Sequence, residues 1–578
     1  MTLLRLLAIT ILLIFLTDPA SAQQSGRGDR LFGPNFVGRS PALGQNGMAS
    51  TSHPLATQVA IDVLQQGGSA VDAAIAANAT LGFVEANNCG IGGDLFAIVW
   101  DEASGELHGL NASGRSAMGF SYEDMVERLG DQESIPMYGP LSISLPGAVD
   151  GWFELHGRFG RLSMEEVLAP AIRYAREGAP MNHVVAHSWQ AAYDRLKAAA
   201  DVVGEFENLE DTYLIDGRMP AYGEVFRNPD LADTYQKIAG GGRDVFYEGE
   251  IADVIDAYAQ RTGIPLRKAD FEAHTSTWVD PISTSYRDYE VYELPPNGQG
   301  MAVLQMLNIL EGFDLASMGH NSADYLHVLL EAKKLAFADR ARHYADPEFY
   351  DIPFDRLLSK DYAEQQRALI DMDQAMDRID TGALNHGDTI YLTVADGDGN
   401  MVSLINSNFL EFGSGMVPDG LGFAFQGRGS QYALDPDHPN VYEAGKRPFH
   451  TIIPGFVMRD GEPYMSFGNM GGPFQPQGHV QVLLNIIDFG MNVQEAGDAA
   501  RFSHSSPMQP TGGMMVDGGR VAFESGVPKE VQLDLAHRGH TIAPIDYFGG
   551  YQAIIWDADE GVYHGGADMR KDGNALGY

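Results

Sequence analysis

The sequence of 578 residues contains a single cysteine, Cys89. One cysteine cannot form a disulfide within the chain, and it cannot supply a zinc site built on several thiolates. The histidines also lack the HExxH spacing of a common zinc site. The sequence therefore predicts no metal and no organic cofactor, and stability has to come from the packing of a large apolar core.

Basic residues are scarce. Lys and Arg number 38 against 78 Asp and Glu, which gives a formal net charge of −40. The acidic residues are dispersed along the chain and form no single block, as expected of a solvated acidic surface. A balance of this sign argues against nucleic acid and anionic lipid surfaces as partners.

Long apolar runs are also rare, and the clearest one stands at the start of the chain. Arg5 precedes an apolar run over residues 6–16, and the small-residue pattern Ala-Ser-Ala follows. This predicts a signal peptide over residues 1–22 and a mature protein that begins at Gln23. The alternative is an uncleaved anchor, although the run is short for a membrane span. We expect a periplasmic or secreted protein without a stable membrane anchor.

The pattern of the remaining chain changes along its length. Near the start, a helix predicted from Pro54 to Gln66 is followed by Ser69 and Asp72, which have the spacing of a capping box for a second, alanine-rich helix. Helical patterns then dominate over residues 149–329, whereas strands and turns dominate after Thr389.

Thr389 opens the stretch TIYLTVADGDGN, which alternates like a strand exposed on one face. Ile390, Leu392 and Val394 share one face, and Tyr391, Thr393 and Ala395 share the other. The turn residues DGDGN and the run MVSLINSN complete a hairpin with Thr389 at its leading edge. A threonine at that place can be purely structural, but the change in composition across Asp388 and Thr389 also resembles a processing junction.

The chemistry of such a junction would make Thr389 a nucleophile. A threonine hydroxyl needs a base, and the α-amine freed by cutting the preceding peptide bond has a suitable pKa near 8. The same hydroxyl could first attack the carbonyl of Asp388. Gly471 and Gly472, at a predicted strand-to-helix corner in FGNMGGPFQ, could donate backbone N–H groups to an oxyanion, or could simply form a tight turn.

From about Gly47 to Tyr578 the chain resembles the γ-glutamyltransferase family. The matching segments occur in one order: GMASTSHPLATQVAIDVLQQGGSAVDAAIAAN, GIGGD, PGAVDGWFELHGRFGRLSMEEVLAPAI, ELPPNGQGMAVLQMLNILEG, DTIYLTVADGDGNMVSLINSNFLEFGSG, KRPFHTIIP and GGADMRKDGNALGY. Several long matches in one order make the resemblance specific.

The resemblance implies an α+β fold, namely a four-layer αββα sandwich of the N-terminal nucleophile hydrolase type. It also implies self-cleavage between Asp388 and Thr389 into a large subunit of residues 23–388 and a small catalytic subunit of residues 389–578, which stay associated. Thr389 corresponds to the nucleophile and, through its amine, the base. Ser407 corresponds to a hydroxyl that orients it.

Further site residues are implied in the same way. Gly471 and Gly472 correspond to the oxyanion pair, and the substrate-binding positions correspond to Arg115, Asn408, Gln426, Arg428, His450 and Thr451. The chain departs from the family pattern where Arg115 is shifted, where Arg428 stands near a missing acid, and where His450 and Thr451 replace paired serines.

The sequence therefore predicts an enzyme that hydrolyses, with possible transfer, γ-glutamyl groups of glutathione-like amides through a threonine ester. One alternative is an acylase of the same fold that acts on glutaryl or cephalosporin-type side chains, because Arg428 suits an anionic acyl group without an amine. The other is a periplasmic binding protein that keeps the fold but is never cleaved.

Overall fold

The computed structural model describes residues 38–377, 389–505, 509–511, 515, 517–544 and 547–578. Contacts divide the chain after Ser40, and all the elements below belong to the unit Pro41–Tyr578. The predicted signal peptide, Gln23 and Asp388 lie outside the described residues.

The strands within the described residues have the following bounds. They are β1 (Ala42–Gly44), β2 (Met48–Thr51), β3 (Asp94–Asp101), β4 (Glu106–Ala112), β5 (Ala179–Pro180), β6 (Val225–Phe226), β7 (Thr277–Val279), β8 (Ile282–Tyr286), β9 (Tyr289–Glu293), β10 (Ile390–Ala395), β11 (Met401–Ser407), β12 (Gly455–Arg459), β13 (Glu462–Asn469), β14 (Phe502–Ser505), β15 (Arg520–Phe523), β16 (Tyr551–Asp557), β17 (Val562–Ala567) and β18 (Asn574–Gly577).

The helices fall mostly between β4 and β10. They are α1 (Pro54–Gln65), α2 (Ala70–Val84), α3 (Tyr122–Leu129), α4 (Ala148–Phe159), α5 (Met164–Glu177), α6 (His183–Ala198), α7 (Ala200–Val203), α8 (Glu207–Tyr213), α9 (Pro229–Gly241), α10 (Arg243–Tyr247), α11 (Glu250–Thr262), α12 (Lys268–Glu272), α13 (Met301–Leu310), α14 (Leu315–Met318), α15 (Ala323–His343), α16 (Phe354–Leu357), α17 (Lys360–Arg367), α18 (Gln475–Ile487), α19 (Val493–Asp498) and α20 (Lys529–His537). Single 3₁₀ turns occupy Pro140–Ser142, Arg428–Gln431 and Gly472–Phe474.

Two seven-stranded antiparallel sheets form the centre. Sheet I has the order β18-β2-β10-β11-β3-β4-β7, and sheet II has the order β1-β17-β16-β13-β12-β9-β8. Strands from before and after Thr389 pair with each other in both sheets: β2 lies between β10 and β18, β3 pairs with β11, β1 with β17, and β9 with β12.

Three apolar layers hold the sheets and helices together. Helices α1, α2, α4 and α5 pack on the outer face of sheet I. The facing sides of the two sheets meet through residues such as Phe96, Ile405 and Phe456. Helices α13, α15 and α18 cover the outer face of sheet II. The order is helix, sheet, sheet, helix, so the expected four-layer αββα sandwich is confirmed.

The hairpin predicted after Thr389 is confirmed as β10 and β11, which pair from Ile390 with Asn406 to Ala395 with Met401. Its alternation divides as expected, because Ile390 contributes to the layer under the helices and Tyr391 to the layer between the sheets. The prediction that one face is exposed was wrong. Every residue of β10 is buried, since sheet II covers the second face.

The two helices predicted near the start of the chain are also present. The first ends at Gln65, with Gln66 as its C-cap, and Ser69 and Asp72 form the predicted capping box of the second. None of the helices in the described part of the chain combines the length and apolar character that a membrane span requires.

Candidate active site

Thr389 lies at the end of sheet I, where β10 and β11 place it beside Ser407. Thr389 is only 1% exposed, and its Oγ1 donates a hydrogen bond to the Oγ of Ser407 at 3.2 Å. The Ser407 Oγ in turn accepts from the backbone N–H of Phe409 at 2.9 Å. The hydroxyls of Thr389 and Ser407 are therefore hydrogen-bonded to each other, which is the arrangement that the predicted roles of nucleophile and orienting hydroxyl require.

Phe409 adopts an unusual backbone conformation directly after β11. Its φ is +78°, a region that non-glycine residues rarely occupy and that costs of order 1 kcal/mol or more. This conformation directs its N–H to Ser407, while its ring lies 4.4 Å from the guanidinium of Arg428. Phe409 thus contacts both the Ser407 hydroxyl next to Thr389 and the nearby cation Arg428.

Arg428 is completely buried next to this pair. One terminal nitrogen donates to Thr451 Oγ1 at 2.7 Å, and the other lies 3.5 Å from Ser407 Oγ. Among the described residues, no carboxylate lies within the 4.0 Å of an ion pair from this guanidinium. Burial lowers the pKa of Arg428 from 12.5 to about 9, while the charge of Asp94 acts in the opposite direction.

Asp94, the first residue of β3 and the partner of Ser407 in the strand register, is also completely buried. Its Oδ1 accepts from the N–H groups of Gly114 at 2.9 Å and Gly147 at 3.2 Å. Its Oδ2 accepts from Gln426 Nε2 at 2.9 Å and lies 2.9 Å from His450 Nε2. Burial raises the pKa of Asp94 to about 7, although Arg428 and the two backbone N–H groups oppose the shift.

His450 and Gln426 connect Asp94 to the cation. Burial and the charge of Arg428 hold the pKa of His450 well below its usual value, so the imidazole is neutral and its Nε2–H donates to Asp94. Gln426 accepts the Arg428 backbone N–H at 3.1 Å. Thr389, Ser407, Asp94, Gln426, Arg428, His450 and Thr451 are called the Thr389 cluster below.

Two predicted site residues stand apart from these contacts. Asn408 donates to the carbonyl of Cys89 at 3.2 Å, and within the described chain its Oδ1 has no hydrogen-bond partner. Arg115 forms an ion pair with Glu348 at 3.0 Å, and its other hydrogen bond goes to the carbonyl of Thr275. Within the part of the chain that the structure describes, Arg115 therefore makes no hydrogen bond to the Thr389 cluster.

Gly471 and Gly472 form the corner between β13 and α18, as predicted. Their φ angles are +115° and +52°, and a Cβ at Gly471 would lie 2.2 Å from a ring carbon of Tyr547. Only glycine fits at Gly471. The carbonyl of Gly472 accepts from Gln299 Nε2 at 2.8 Å, and Gln299 also donates to the carbonyl of Thr451 at 2.6 Å.

Arg340 on α15 completes this support. Its guanidinium donates to Gln299 Oε1 and lies 3.7 Å from the ring of Phe337. Gln299 is therefore held in one orientation, with its amide hydrogens toward Gly472 and Thr451. The side-chain amide of Gln299 therefore binds both the Gly471–Gly472 corner, which could bind an oxyanion, and Thr451, which accepts from Arg428.

Sequence reasoning missed Asp94, Phe409 and Gln299 as parts of the site. Asp94 had a signal, since it is the one acid at the head of the apolar strand LFAIVW. Gln299 and Phe409 had none beyond their place in segments that match the family, because the partners of Gln299 lie on distant segments and the contact of Phe409 with Ser407 depends on a positive φ.

One group outside the site has the residue types of a metal centre. His327, Glu331 and His540 are buried, with ligand atoms within 4.8 Å of one another. The Glu331 carboxylate already pairs with the Lys334 ammonium at 2.8 Å, and His327 Nδ1 lies 2.9 Å from His540 Nε2. The ammonium occupies the electrostatic role that a cation would have, so these residues fit an internal ion pair better than a metal site.

Known proteins resemble this chain along almost its whole length. The family model for Gamma-glutamyltranspeptidase matches residues 56–578. The glutathione hydrolase-like YwrD proenzyme of Bacillus subtilis (strain 168) is 36% identical over 93% of this chain and 99% of its own length. Acylase ACY 1 proenzyme of Pseudomonas sp. (strain SE83) is 33% identical over 93% of this chain and 94% of its own.

Among solved structures, the cephalosporin acylase from Bacillus halodurans matches with a TM-score of 0.86 at 41% identity, covering 95% of this chain and 99% of that one. The two sequence relatives are named as proenzymes, and the three names differ in the activity they give: glutathione hydrolase-like, acylase and cephalosporin acylase. The match of the family model and the similarity to whole relatives show that the chain belongs to the gamma-glutamyltranspeptidase family of N-terminal nucleophile hydrolases.

Proposed function

We propose that the protein is a self-processing amide hydrolase whose nucleophile is Thr389 and whose preferred acyl group ends in a carboxylate, as glutaryl does. The observation that carries the proposal is the buried guanidinium of Arg428, which reaches Ser407, the hydrogen-bond partner of the nucleophile. A buried cation without a carboxylate partner in the described residues is a site for an anionic group, and arginine binds carboxylates well.

Processing would use the same hydroxyl as catalysis. Thr389 Oγ1 attacks the carbonyl carbon of Asp388, the peptide bond breaks as an ester forms, and the freed nitrogen takes the proton. Water then hydrolyses the ester and leaves residues 23–388 and 389–578 as two chains. The proenzyme names of the relatives support this sequence of events.

Catalysis would follow from the freed amine. The amine of Thr389 takes the hydroxyl proton as Oγ1 attacks the substrate carbonyl, and the backbone N–H groups of Gly471 and Gly472 stabilise the oxyanion. The proton passes to the departing amine, leaving an acyl ester on Thr389. Water attacks that ester, the acid leaves, and the hydroxyl is restored.

The headgroup preference follows from charge. A γ-glutamyl group carries an ammonium that needs an anionic partner, but both oxygens of Asp94 already accept two hydrogen bonds each. A glutaryl group has only the carboxylate, which Arg428 can pair. Hydrolysis of γ-glutamyl amides remains the second candidate, because the YwrD relative is named glutathione hydrolase-like. We expect hydrolysis to exceed transfer with either group.

The first test compares wild type with Thr389→Ala by intact mass and N-terminal sequencing. Wild type should give two chains, one beginning at Thr389, whereas the variant should stay uncut and inactive. Thr393→Ala is the matched control, because Thr393 is a buried threonine on β10, the strand that follows Thr389, and its hydroxyl bonds Ser466 across the sheets. The control should be cut normally.

The second test compares glutaryl and γ-glutamyl p-nitroanilides on the processed enzyme. A higher kcat/KM for glutaryl supports the proposed headgroup, and a higher value for γ-glutamyl makes the second candidate correct. A large gain in rate on adding glycylglycine would contradict the preference for hydrolysis. One uncut, inactive chain in wild type would favour the binding-protein alternative.

We also propose that the protein is exported and acts in the periplasm or outside the cell. The support is the Arg5 and apolar-run pattern at the start of the sequence. Sequencing of protein from the exported fraction should find Gln23 as the first residue of the large chain. A large chain that keeps the first 22 residues would contradict this.

A further inference from the structure

Asp94 connects the segments around the proposed acyl site. Its four hydrogen-bond donors come from four different places: the loop after β4, the loop before α4, Gln426, and His450. It also pairs with Ser407 in the strand register. A buried aspartate that accepts hydrogen bonds from so many segments controls how they are arranged relative to one another.

Two of those donors lead to Arg428. Gln426 donates to Asp94 with its amide nitrogen and accepts the Arg428 backbone N–H with its amide oxygen. His450 donates to Asp94, and the next residue along the chain, Thr451, binds the Arg428 guanidinium. Asp94 therefore positions both the backbone and the side chain of Arg428 without touching either.

The charge of Asp94 acts on the same place. Asp94 and Arg428 are both completely buried, and the charge of Arg428 lowers the pKa of Asp94 while the charge of Asp94 raises the pKa of Arg428. With Asp94 ionised, the pair has no net charge. With Asp94 protonated, the site carries one uncompensated positive charge, which attracts an anionic acyl group more strongly.

We propose that Asp94 is the specificity-determining residue of the acyl site: it positions Arg428 through Gln426 and His450, and its charge sets how strongly the site prefers an acyl chain that ends in a carboxylate. This rests on the proposed function, because it takes the acyl group to bind at Arg428. It predicts a preference that depends on pH.

The groups around Asp94 define the useful pH range. Burial raises the pKa of Asp94 to about 7, whereas His450, on the segment packed against it, stays neutral. Arg428 keeps its charge until about pH 9, and Arg447, the other cation that acts on Asp94, forms an ion pair with Glu348 at 3.2 Å. Between pH 5.5 and 8 Asp94 and the freed amine of Thr389 are therefore the groups that change charge.

The experiment measures the ratio of kcat/KM for glutaryl and pentanoyl p-nitroanilides over this pH range. The two substrates differ by the terminal carboxylate, which stays ionised throughout, and the ratio cancels the titration of the Thr389 amine. In wild type the ratio should fall about tenfold from pH 5.5 to 8, because the protonated share of an acid with a pKa of about 7 falls from nearly all to about one tenth over this range.

Asp94→Asn should make the ratio independent of pH, because the asparagine can still accept from the two backbone N–H groups but cannot ionise. Asp72→Asn is the matched control: Asp72 is also fully buried and accepts backbone N–H groups, but it lies at the start of α2. In Asp72→Asn the ratio of kcat/KM should fall with pH as it does in wild type. A flat ratio in wild type, or an unchanged fall in Asp94→Asn, would overturn the proposal.

Asp94→Glu covers the case in which Asp94→Asn yields no processed protein. The glutamate retains the charge, so the fall should persist with a shifted midpoint, and an unshifted midpoint would assign the titration to another group. Failure here is distinct from failure of the proposed function. A wild-type enzyme that prefers γ-glutamyl to glutaryl anilide rejects the headgroup, whereas the pH profile tests Asp94.

Discussion

Replacing Arg428 with glutamine should separate binding of the acyl carboxylate from the chemistry at Thr389. The substitution removes the buried charge but keeps an amide donor at the same backbone position. Arg428 forms no ion pair within the described residues, and its known partners are hydroxyl groups and the ring of Phe409. The loss should therefore fall mainly on a substrate carboxylate.

The expected size follows from hydrogen bonds to charged groups, which contribute about 1.5–3 kcal/mol. This corresponds to a loss of about 10-fold to 150-fold in kcat/KM for glutaryl p-nitroanilide. The pentanoyl substrate lacks the carboxylate and should change by about threefold or less. Initial rates at pH 6.5, with active enzyme counted by the amount of cut small chain, provide the comparison.

The same variant should be more stable than wild type. An arginine whose pKa falls from 12.5 to about 9 carries a cost of about 5 kcal/mol for burying its charge. The hydrogen bond to Thr451 and the contact with Phe409 return about 2–4 kcal/mol. The free energy of unfolding should thus rise by about 1–3 kcal/mol in urea titrations at pH 7. Equal losses for both substrates together with lower stability would refute the reasoning, because Arg428 would then be structural.

Three other substitutions test separate parts of the site and fold. Gln299→Glu replaces the donor to the carbonyl of Gly472 with a carboxylate oxygen, which should displace the Gly471–Gly472 corner. We expect kcat to fall about 10-fold to 100-fold while KM changes by about twofold or less. An equal rise in KM would contradict a role at the oxyanion corner. Gly471→Ala should abolish cutting, as seen on a gel, because its Cβ would collide with Tyr547, and normal cutting would contradict this. His53 is the N-cap of α1 and accepts a hydrogen bond as a neutral imidazole, because burial lowers its pKa from 6.5 to about 4. Its contribution to the free energy of unfolding is therefore complete above pH 6.5, and about 3 kcal/mol of it is lost as the pH falls to 4. His53→Asn keeps the cap without the titration and should flatten the urea midpoint across that range, whereas an unchanged slope would assign the acid sensitivity elsewhere.

Local sequence patterns predicted the elements on either side of Thr389 and of the glycine pair. Alternation and a turn of Gly, Asp and Asn specified the hairpin, and a glycine pair after a strand specified the corner before α18. The prediction that one face of the hairpin is exposed was wrong, because the alternation of a strand shows that it has two faces but not what covers each face. The second sheet, which covers that face, is built partly from strands more than a hundred residues away.

The polar part of the site was only partly predictable. The family resemblance pointed to Ser407, Arg428 and Thr451, which the structure brings together, whereas the structure pairs Arg115 with Glu348. Asp94 and Gln299 were not predicted as site residues, because their roles depend on hydrogen-bond partners on other segments of the chain. A single sequence gives no information on which distant donors will surround a buried acceptor.

The pairing of strands across Thr389 has a consequence for the reversibility of folding. Strands β1, β2, β3 and β9 are bonded to partners that follow Thr389, so with the proposed cut made, neither chain has a complete sheet of its own. The precursor can refold as one molecule, at a rate independent of concentration. The cut enzyme unfolds into two molecules that must meet again, so its melting temperature should depend on concentration. Self-cleavage would thus make the stability of the fold, and the rate at which it reassembles after unfolding, depend on how much protein is present.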